Sequence, residues 1–286
     1  MGSVFAAAGS FLRARAARGA WLVRMEDLDT PRVVPGAADD ILHTLERLGL
    51  EWDGPVLFQS TRTHAYEQAL AQLSSRGLLF PCSCSRSELA AAAARVAADP
   101  SEDLYYPGTC RDGMRAPLRP PAIRLRVQPG PVSFVDAIQG PQSQDVARAI
   151  GDFVLRRRDG LFAYQLAVVV DDAFQNITEV VRGSDLLSNT PRQLLLQRAL
   201  GLPEPSYAHL PVLMEPDGLK LSKSRRAVPV DPAEAPQVVW RVLELLGQAP
   251  PPELRGATVV ECWRWAIAHW RPEAMAGCSQ RRLESI

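Results

Sequence analysis

Trp21 to Arg32 reads WLVRMEDLDTPR, an apolar run that ends in a burst of charge: Arg24, Glu26, Asp27, Asp29 and Arg32, with Pro31 among them. GAWLVRMED has the pattern of a short buried strand. It is preceded by an Ala-rich helical segment from Val4 to Ala17 and followed by AADDILHTLERLGL, which places Ile41, Leu42, Leu45 and Leu48 on one helical face. Helix, strand and helix in that order predict a doubly wound α/β sheet. In such a sheet ligands bind beyond the carboxyl ends of the strands, so the charges after WLV fall where a substrate would sit. A carboxylate there can hold a substrate ammonium. The alternative is that Arg24 and the acids pair with one another and fix the next loop.

Working outward, THAYEQALAQLSSRG predicts another helix, with Gly77 as its C-cap. PCSCSRSELAAAAARVAADPSEDLYYPGTCRDG reads as an insertion whose ends a metal could clip together. AIRLRV, VSFVDAI, DFVLRRRDGLFAYQLAVVVDDAF and ITEVVRG are strand-like and return the chain to a sheet. After Gly201 come Pro-punctuated loops and two helices, APQVVWRVLELLG and VVECWRWAIAHW. The expected organisation is therefore residues 1–80 as the first part of the main domain, 81–111 as the insertion, 112–200 as the remainder of that domain, and 201–286 as a basic-loop region with carboxy-terminal helices.

Composition sets the frame. At 286 residues and 47% apolar the chain can bury a substantial core. Thirty-two basic residues balance 32 acidic ones, so any nucleic-acid or membrane partner must be met by a local patch. No apolar stretch approaches the roughly 20 residues that span a bilayer, and the arginines in MGSVFAAAGSFLRARAARGA interrupt any secretory core. The five cysteines (82, 84, 110, 262, 278) are odd in number and unevenly placed, which predicts a reducing cytoplasm rather than a disulfide framework.

Two further segments carry chemistry. In DGLKLSKSRR, Lys220, Lys223, Arg225 and Arg226 crowd a loop with Ser222 and Ser224. Ammonium groups beside hydroxyls suit a polyphosphate whose charge must be neutralised as pyrophosphate leaves, although a solvated basic turn has the same composition. In DGLFAYQLAVVVDD and EVVRGSDLL, Tyr164 precedes a buried apolar run and Arg182 ends a strand. A phenol and a guanidinium at strand ends can bind a carboxylate, the arginine bidentately. His43, His64, His209 and His269 are scattered without a Cys or Ser constellation, which argues against a histidine-dependent nucleophile. Trp263 and Trp270 are seven apart, a helical spacing that predicts core packing.

Taken in order and spacing, RMEDLDTPR, RRRDGLFAYQLAVVVDD, VVRGSDLLSNTPRQLLLQ and KLSKS resemble the class I glutamyl-tRNA synthetase family over nearly the whole chain, KLSKS standing for its KMSKS loop with Leu221 in place of Met. The resemblance implies a Rossmann-like α/β catalytic domain, ATP with Mg²⁺ as substrate, and L-glutamate as the amino acid. It implies that Glu26 binds the glutamate α-ammonium, that Tyr164 and Arg182 bind glutamate, and that Lys220 and Lys223 meet ATP, Lys223 being the catalytic lysine. With 62 residues after Ser224, too few for a separate anticodon-binding domain, the resemblance points to the short paralogues of the family. These transfer activated glutamate to queuosine in the anticodon loop of tRNA(Asp). A cytoplasmic monomer is expected.

The resemblance also supplies a metal centre. Cys82 and Cys84 in C-x-C and Tyr106 and Cys110 in Y-x-x-x-C match the zinc ligands of the short paralogues, with a longer spacer between the pairs. Three thiolates and a phenolate complete a closed tetrahedron, hence one structural Zn²⁺. Tyr105 is a competing fourth ligand whose spacing fits less well, and Cys262 and Cys278 read as ordinary thiols. One departure stands out: the family's first strand and most of its HIGH motif precede Gly2 and Ser3, so the chain as written begins after them. A translation start placed too late is the expectation. A truncated, inactive tRNA-binding pseudoenzyme and a fragment of a glutamyl-tRNA synthetase are the alternatives.

Overall fold

The computed structural model describes residues 1–93, 105–215 and 234–282. In chain order the elements are α1 (Gly2–Ala16), β1 (Arg24–Met25), α2 (Ala37–Arg47), β2 (Leu57–Phe58), α3 (Thr63–Ser75), β3 (Leu79–Cys82), α4 (Arg86–Ala93), β4 (Ala122–Leu125), β5 (Pro131–Asp136), β6 (Gly140–Asp145), α5 (Val146–Ala149), β7 (Val154–Arg156), α6 (Tyr164–Phe174), β8 (Glu179–Gly183), α7 (Thr190–Leu200), β9 (Ser206–Leu210), β10 (Val212–Met214), α8 (Ala235–Leu245), α9 (Val259–Ala268) and β11 (Gln280–Arg282). The largest sheet runs β6-β5-β9-β8. Its β5, β9 and β8 are parallel, and β6 closes one edge as an antiparallel hairpin partner. β1 and β2 form a short parallel pair, β3-β4-β7 a small antiparallel sheet, and β10 pairs in parallel with β11.

Strand β9 shows how helices come to cover both faces. Successive side chains of a strand point to opposite sides. Ala208 and Leu210 enter one core with Phe5 and Leu12 of α1, Leu243 of α8 and Trp263 of α9. Tyr207 enters the other, with Tyr66 and Leu73 of α3, Val168 of α6 and Leu196 of α7. Gly9 lets α1 lie close on β9: a Cβ there would stand 2.6 Å from Leu210 Cδ1, inside contact distance. Trp263 is buried and donates its indole N–H to the Leu48 carbonyl at 2.7 Å. Trp270 is half-buried and lies beyond the end of α9.

Several expectations need correction. The strand around WLVRMED shrinks to Arg24–Met25. Ile41 is 50% exposed, so the apolar face of α2 rests on Leu42 and Leu45, with Leu48 buried just beyond the helix end. YQLAVVVDDAF is helix α6, not a strand: packing between α3 and α7 outweighs the β preference of Val168, Val169 and Val170. Tyr164 therefore stands at the first turn of a helix rather than at a strand end. Ser206–Leu210, expected among carboxy-terminal loops, is an interior strand of the main sheet, and β10 and β11 were also unforeseen.

Candidate functional site

The opening charges divide into two groups. Asp27 accepts from the Ser60 backbone N–H at 2.8 Å and from its hydroxyl at 2.6 Å. Asp29 pairs with Arg32 and with Arg157, the latter at 2.9 Å. These acids fix the loop, as the ion-pair reading expects. Arg24 reaches the other way, donating to Asp172 Oδ1 at 2.8 Å and to Gln175 Oε1 at 2.9 Å. Glu26, 3.6 Å from Arg24, keeps 42% of its side-chain surface exposed. Despite that opening, the protein enclosing the carboxyl displaces part of its water and raises the Glu26 pKa above the ordinary range, with Asp172 adding to the rise and Arg24 and Arg182 opposing it. Burial likewise raises Asp172 and Tyr164, against the nearby guanidiniums.

Arg182, on β8, is held on several sides. Its Nη1 donates to the Tyr164 hydroxyl at 3.3 Å, and its Nη2 to Thr190 Oγ1 at 2.9 Å and the Leu186 carbonyl at 3.4 Å. Its Nε donates to His209 Nε2 at 3.1 Å. His209 Nδ1 lies 2.6 Å from Asp136 Oδ2, and both side chains are fully buried. The sheet register explains the meeting, because Arg182 on β8 is the direct partner of His209 on β9. The arrangement has acidic groups, Glu26 and Asp172, near a phenol and a guanidinium, Tyr164 and Arg182. Those poles can take a zwitterion.

Sequence reasoning set His209 aside for want of neighbouring Cys or Ser, and gave no role to Asp136, Asp172 or Thr190. The signal was SYAHL, whose alternation places Tyr207 and His209 on one strand face; their rings stack 6.2 Å apart. Lys220 and Lys223 lie outside the described residues.

The second constellation is the thiol cluster. The Sγ atoms of Cys82, Cys84 and Cys110 all lie within 4.8 Å of one another, with Cys84 and Cys110 3.6 Å apart. Sulfurs on a tetrahedral zinc would be about 3.8 Å apart, given Zn–S bonds of about 2.3 Å. Tyr106 is buried beside them, and its hydroxyl accepts from the Cys110 N–H at 2.8 Å. Burial pushes the Tyr106 phenol up, with hydrogen bonding to Cys82 next in effect. Burial also opposes the Cys110 thiolate, but backbone N–H groups of Arg115 and Ser83 bring that thiol down to about 6. Burial and the bond to Cys110 push Cys84 up to about 12.

The surrounding scaffold is tied down. Arg158 donates to the Ser83 and Cys84 carbonyls at 2.8 and 2.7 Å. Gly151 has φ +78°, and a Cβ there would stand 2.1 Å from the Tyr106 carbonyl oxygen, so the backbone needs glycine to pass Tyr106 this closely. Among the described residues this donor set could hold a metal ion, and three sulfurs suit a soft or borderline cation.

The comparisons agree with this fold. The family described as tRNA synthetases class I (E and Q), catalytic domain, matches residues 1–244, and the chain belongs to that family. Within it, the chain is 54% identical over 274 residues to the glutamyl-Q tRNA(Asp) synthetase of Dechloromonas aromatica, spanning 96% of this chain and 90% of that one. It is 50% identical over 280 residues to the glutamyl-Q tRNA(Asp) synthetase of Geobacter sulfurreducens, spanning 96% and 89%. The fold resembles the crystal structure of the glutamate-tRNA synthetase from Elizabethkingia anophelis, with TM-score 0.78 and 24% identity. That alignment spans 99% of this chain and 65% of the solved one, just under two thirds of the longer synthetase.

Proposed function

We propose that the protein activates L-glutamate with ATP and transfers it to queuosine in the anticodon loop of tRNA(Asp). The observation that carries this reading is the near-full-length 54% identity to a glutamyl-Q tRNA(Asp) synthetase; the charge layout of the site supports it. Glu26 takes the α-ammonium, backed by Asp172. Arg182 and Tyr164 take a carboxylate. The glutamate α-carboxylate oxygen attacks the α-phosphorus of ATP, the bond to the bridging oxygen breaks, and pyrophosphate leaves. A queuosine hydroxyl then attacks the mixed anhydride, its proton is lost, and AMP departs. No protein nucleophile is needed; positioning and charge stabilisation supply the catalysis. Mg²⁺ accompanies the triphosphate. We place the protein in the cytoplasm, as a monomer; among the described residues no helix is long and apolar enough to cross a membrane.

The test supplies radiolabelled glutamate, ATP and tRNA to the protein expressed from its complete reading frame. Label should enter tRNA(Asp) from queuosine-replete cells and not tRNA(Asp) from queuosine-deficient cells. Label on tRNA(Glu) would instead assign an ordinary glutamyl-tRNA synthetase. Lys223→Ala should slow glutamate-dependent ATP–pyrophosphate exchange by about 10²- to 10³-fold, because its charge acts mainly on the departing pyrophosphate. Unchanged exchange would remove Lys223 from the catalytic set.

In this reading Cys82, Cys84, Cys110 and Tyr106 hold one Zn²⁺, which when bound cross-links the ends of the insertion. Cys82→Ala should lower the zinc content of purified protein from one equivalent to near zero and expose Cys84 and Cys110 to alkylation. Folded protein that carries no zinc, with all three thiols freely alkylated, would end the assignment.

A further inference from the structure

We propose that His209, held by Asp136, is a positioning residue for the amino-acid site: it fixes the Arg182 guanidinium so that Arg182 and Tyr164 act together as a two-donor fork for the substrate carboxylate. This inference rests on the reading of that site as the glutamate site.

The donor count carries it. Arginine has five N–H groups and no acceptor. In Arg182 the Nε–H goes to His209, the two Nη2 hydrogens face Thr190 and the Leu186 carbonyl, and one Nη1 hydrogen goes to Tyr164. The second Nη1 hydrogen remains. Because the Tyr164 oxygen accepts from Arg182, its own hydroxyl proton is also free to donate. A carboxylate can therefore be met by one N–H and one O–H from adjacent residues, rather than by both nitrogens of the arginine fork as the sequence suggested.

Only one form of His209 supports this geometry. Arg182 Nε can only donate, so His209 Nε2 must be the unprotonated nitrogen, and Nδ1 must carry the proton that is donated to Asp136. Asp136 is itself anchored, accepting from the backbone N–H groups of Ile138, Gln139 and His209 at 3.0, 2.8 and 3.1 Å. Those bonds and the one from His209 outweigh the burial that opposes its charge and hold its carboxyl below the ordinary range. Thr190 Oγ1, 3.4 Å from His209 Nε2, completes the seat.

Protonating His209 would place an N–H against the Arg182 N–H and set two cations side by side. The groups acting on the ring are Asp136 from β5, Arg182 from β8, Asp185 from the turn after β8, and Tyr207 from its own strand. Burial lowers the imidazole pKa foremost, Asp136 and Asp185 oppose that, and Arg182 adds to the lowering; the net direction is down. The neutral acceptor is thus present above a pKa below the ordinary histidine value, and is lost as pH falls through it.

The test compares the complete gene product with H209A, H209N and H209Q in glutamate-dependent ATP–pyrophosphate exchange, with thermal unfolding of each. The side chain introduced by H209Q is long enough to extend an amide oxygen toward Arg182, whereas that of H209N is too short. H209A and H209N should raise KM for glutamate by about tenfold or more, the effect of losing a hydrogen bond to a charged group, with KM for ATP unchanged. H209Q should recover most of that loss. As pH falls below the ordinary histidine pKa, KM for glutamate should rise more steeply in the wild type than in H209Q, whose position 209 does not titrate. A glutamate KM in H209A within twofold of wild type would overturn the proposal. So would equal losses in all three variants that track their melting temperatures. Should H209A and H209N fail to fold, matching wild-type and H209Q pH profiles would overturn it. Absence of glutamate-dependent exchange in the wild type itself would remove the glutamate-site reading, and this inference with it.

Discussion

Arg182→Ala is expected to weaken glutamate binding by about 2 to 5 kcal/mol, the range for truncating one partner of a hydrogen-bonded charge pair, while leaving ATP affinity nearly unchanged. The size follows from what the guanidinium does. It is the cation that donates to Tyr164 and, in the proposed reading, supplies the charge that selects a carboxylate. Its removal also strands the acceptors on His209 and Thr190, which were satisfied by Nε and Nη2. Lysine is a poor substitute. Arg182→Lys keeps the charge but has one nitrogen, which cannot meet His209, Thr190 and Tyr164 together. Calorimetric titration of glutamate into Arg182→Ala and Arg182→Lys should show both weakened, alanine more. Unchanged affinity in the alanine variant would make Arg182 a structural residue.

The second large effect falls on stability. Asp171 has no exposed side-chain surface and accepts from the Tyr66 hydroxyl at 2.6 Å, Gln59 Nε2 at 3.0 Å and Arg62 Nε at 3.0 Å. Arg62 meanwhile lies over the Phe174 ring, 3.8 Å from its centroid. The acid thus joins α3 and its preceding turn to α6, the helix that carries Tyr164. Asp171→Ala leaves a largely buried guanidinium without its counter-ion and two buried donors without an acceptor, a loss of about 3 to 5 kcal/mol. Thermal unfolding should show a melting temperature lower by on the order of 10 °C. Asp171→Asn should cost less, because an amide oxygen still accepts while its NH₂ group faces the other donors. A melting temperature unchanged in Asp171→Ala would mean the three donors find other partners. Its neighbour Asp172 faces Arg24 instead, so changes at the two adjacent acids should separate into stability and glutamate binding.

The sequence alone was enough for the α/β class, the helices α1, α3, α8 and α9, and the strands β4, β5 and β8. Those segments carry their signal locally, in apolar spacing and in turn residues such as Gly77. It also singled out Glu26, Tyr164, Arg182 and the cysteine cluster. Charged and phenolic groups beside apolar runs and cysteines in C-x-C spacing depart from what packing requires, and such departures are visible without coordinates. The tertiary structure decided the rest. AVVV in α6 has strand composition and became helical because α3 and α7 bury it from both sides, a context no local window contains. Asp27 and Glu26 are sequence neighbours of one chemical type, yet just past the end of β1 one accepts from Ser60 and the other lies beside Arg24, a split set by which elements pack against the loop and not by local sequence. His209 looked inert because its partners lie 27 and 73 residues away; only the parallel register of β8 on β9 brings Arg182 beside it, and only the neighbouring β5 delivers Asp136.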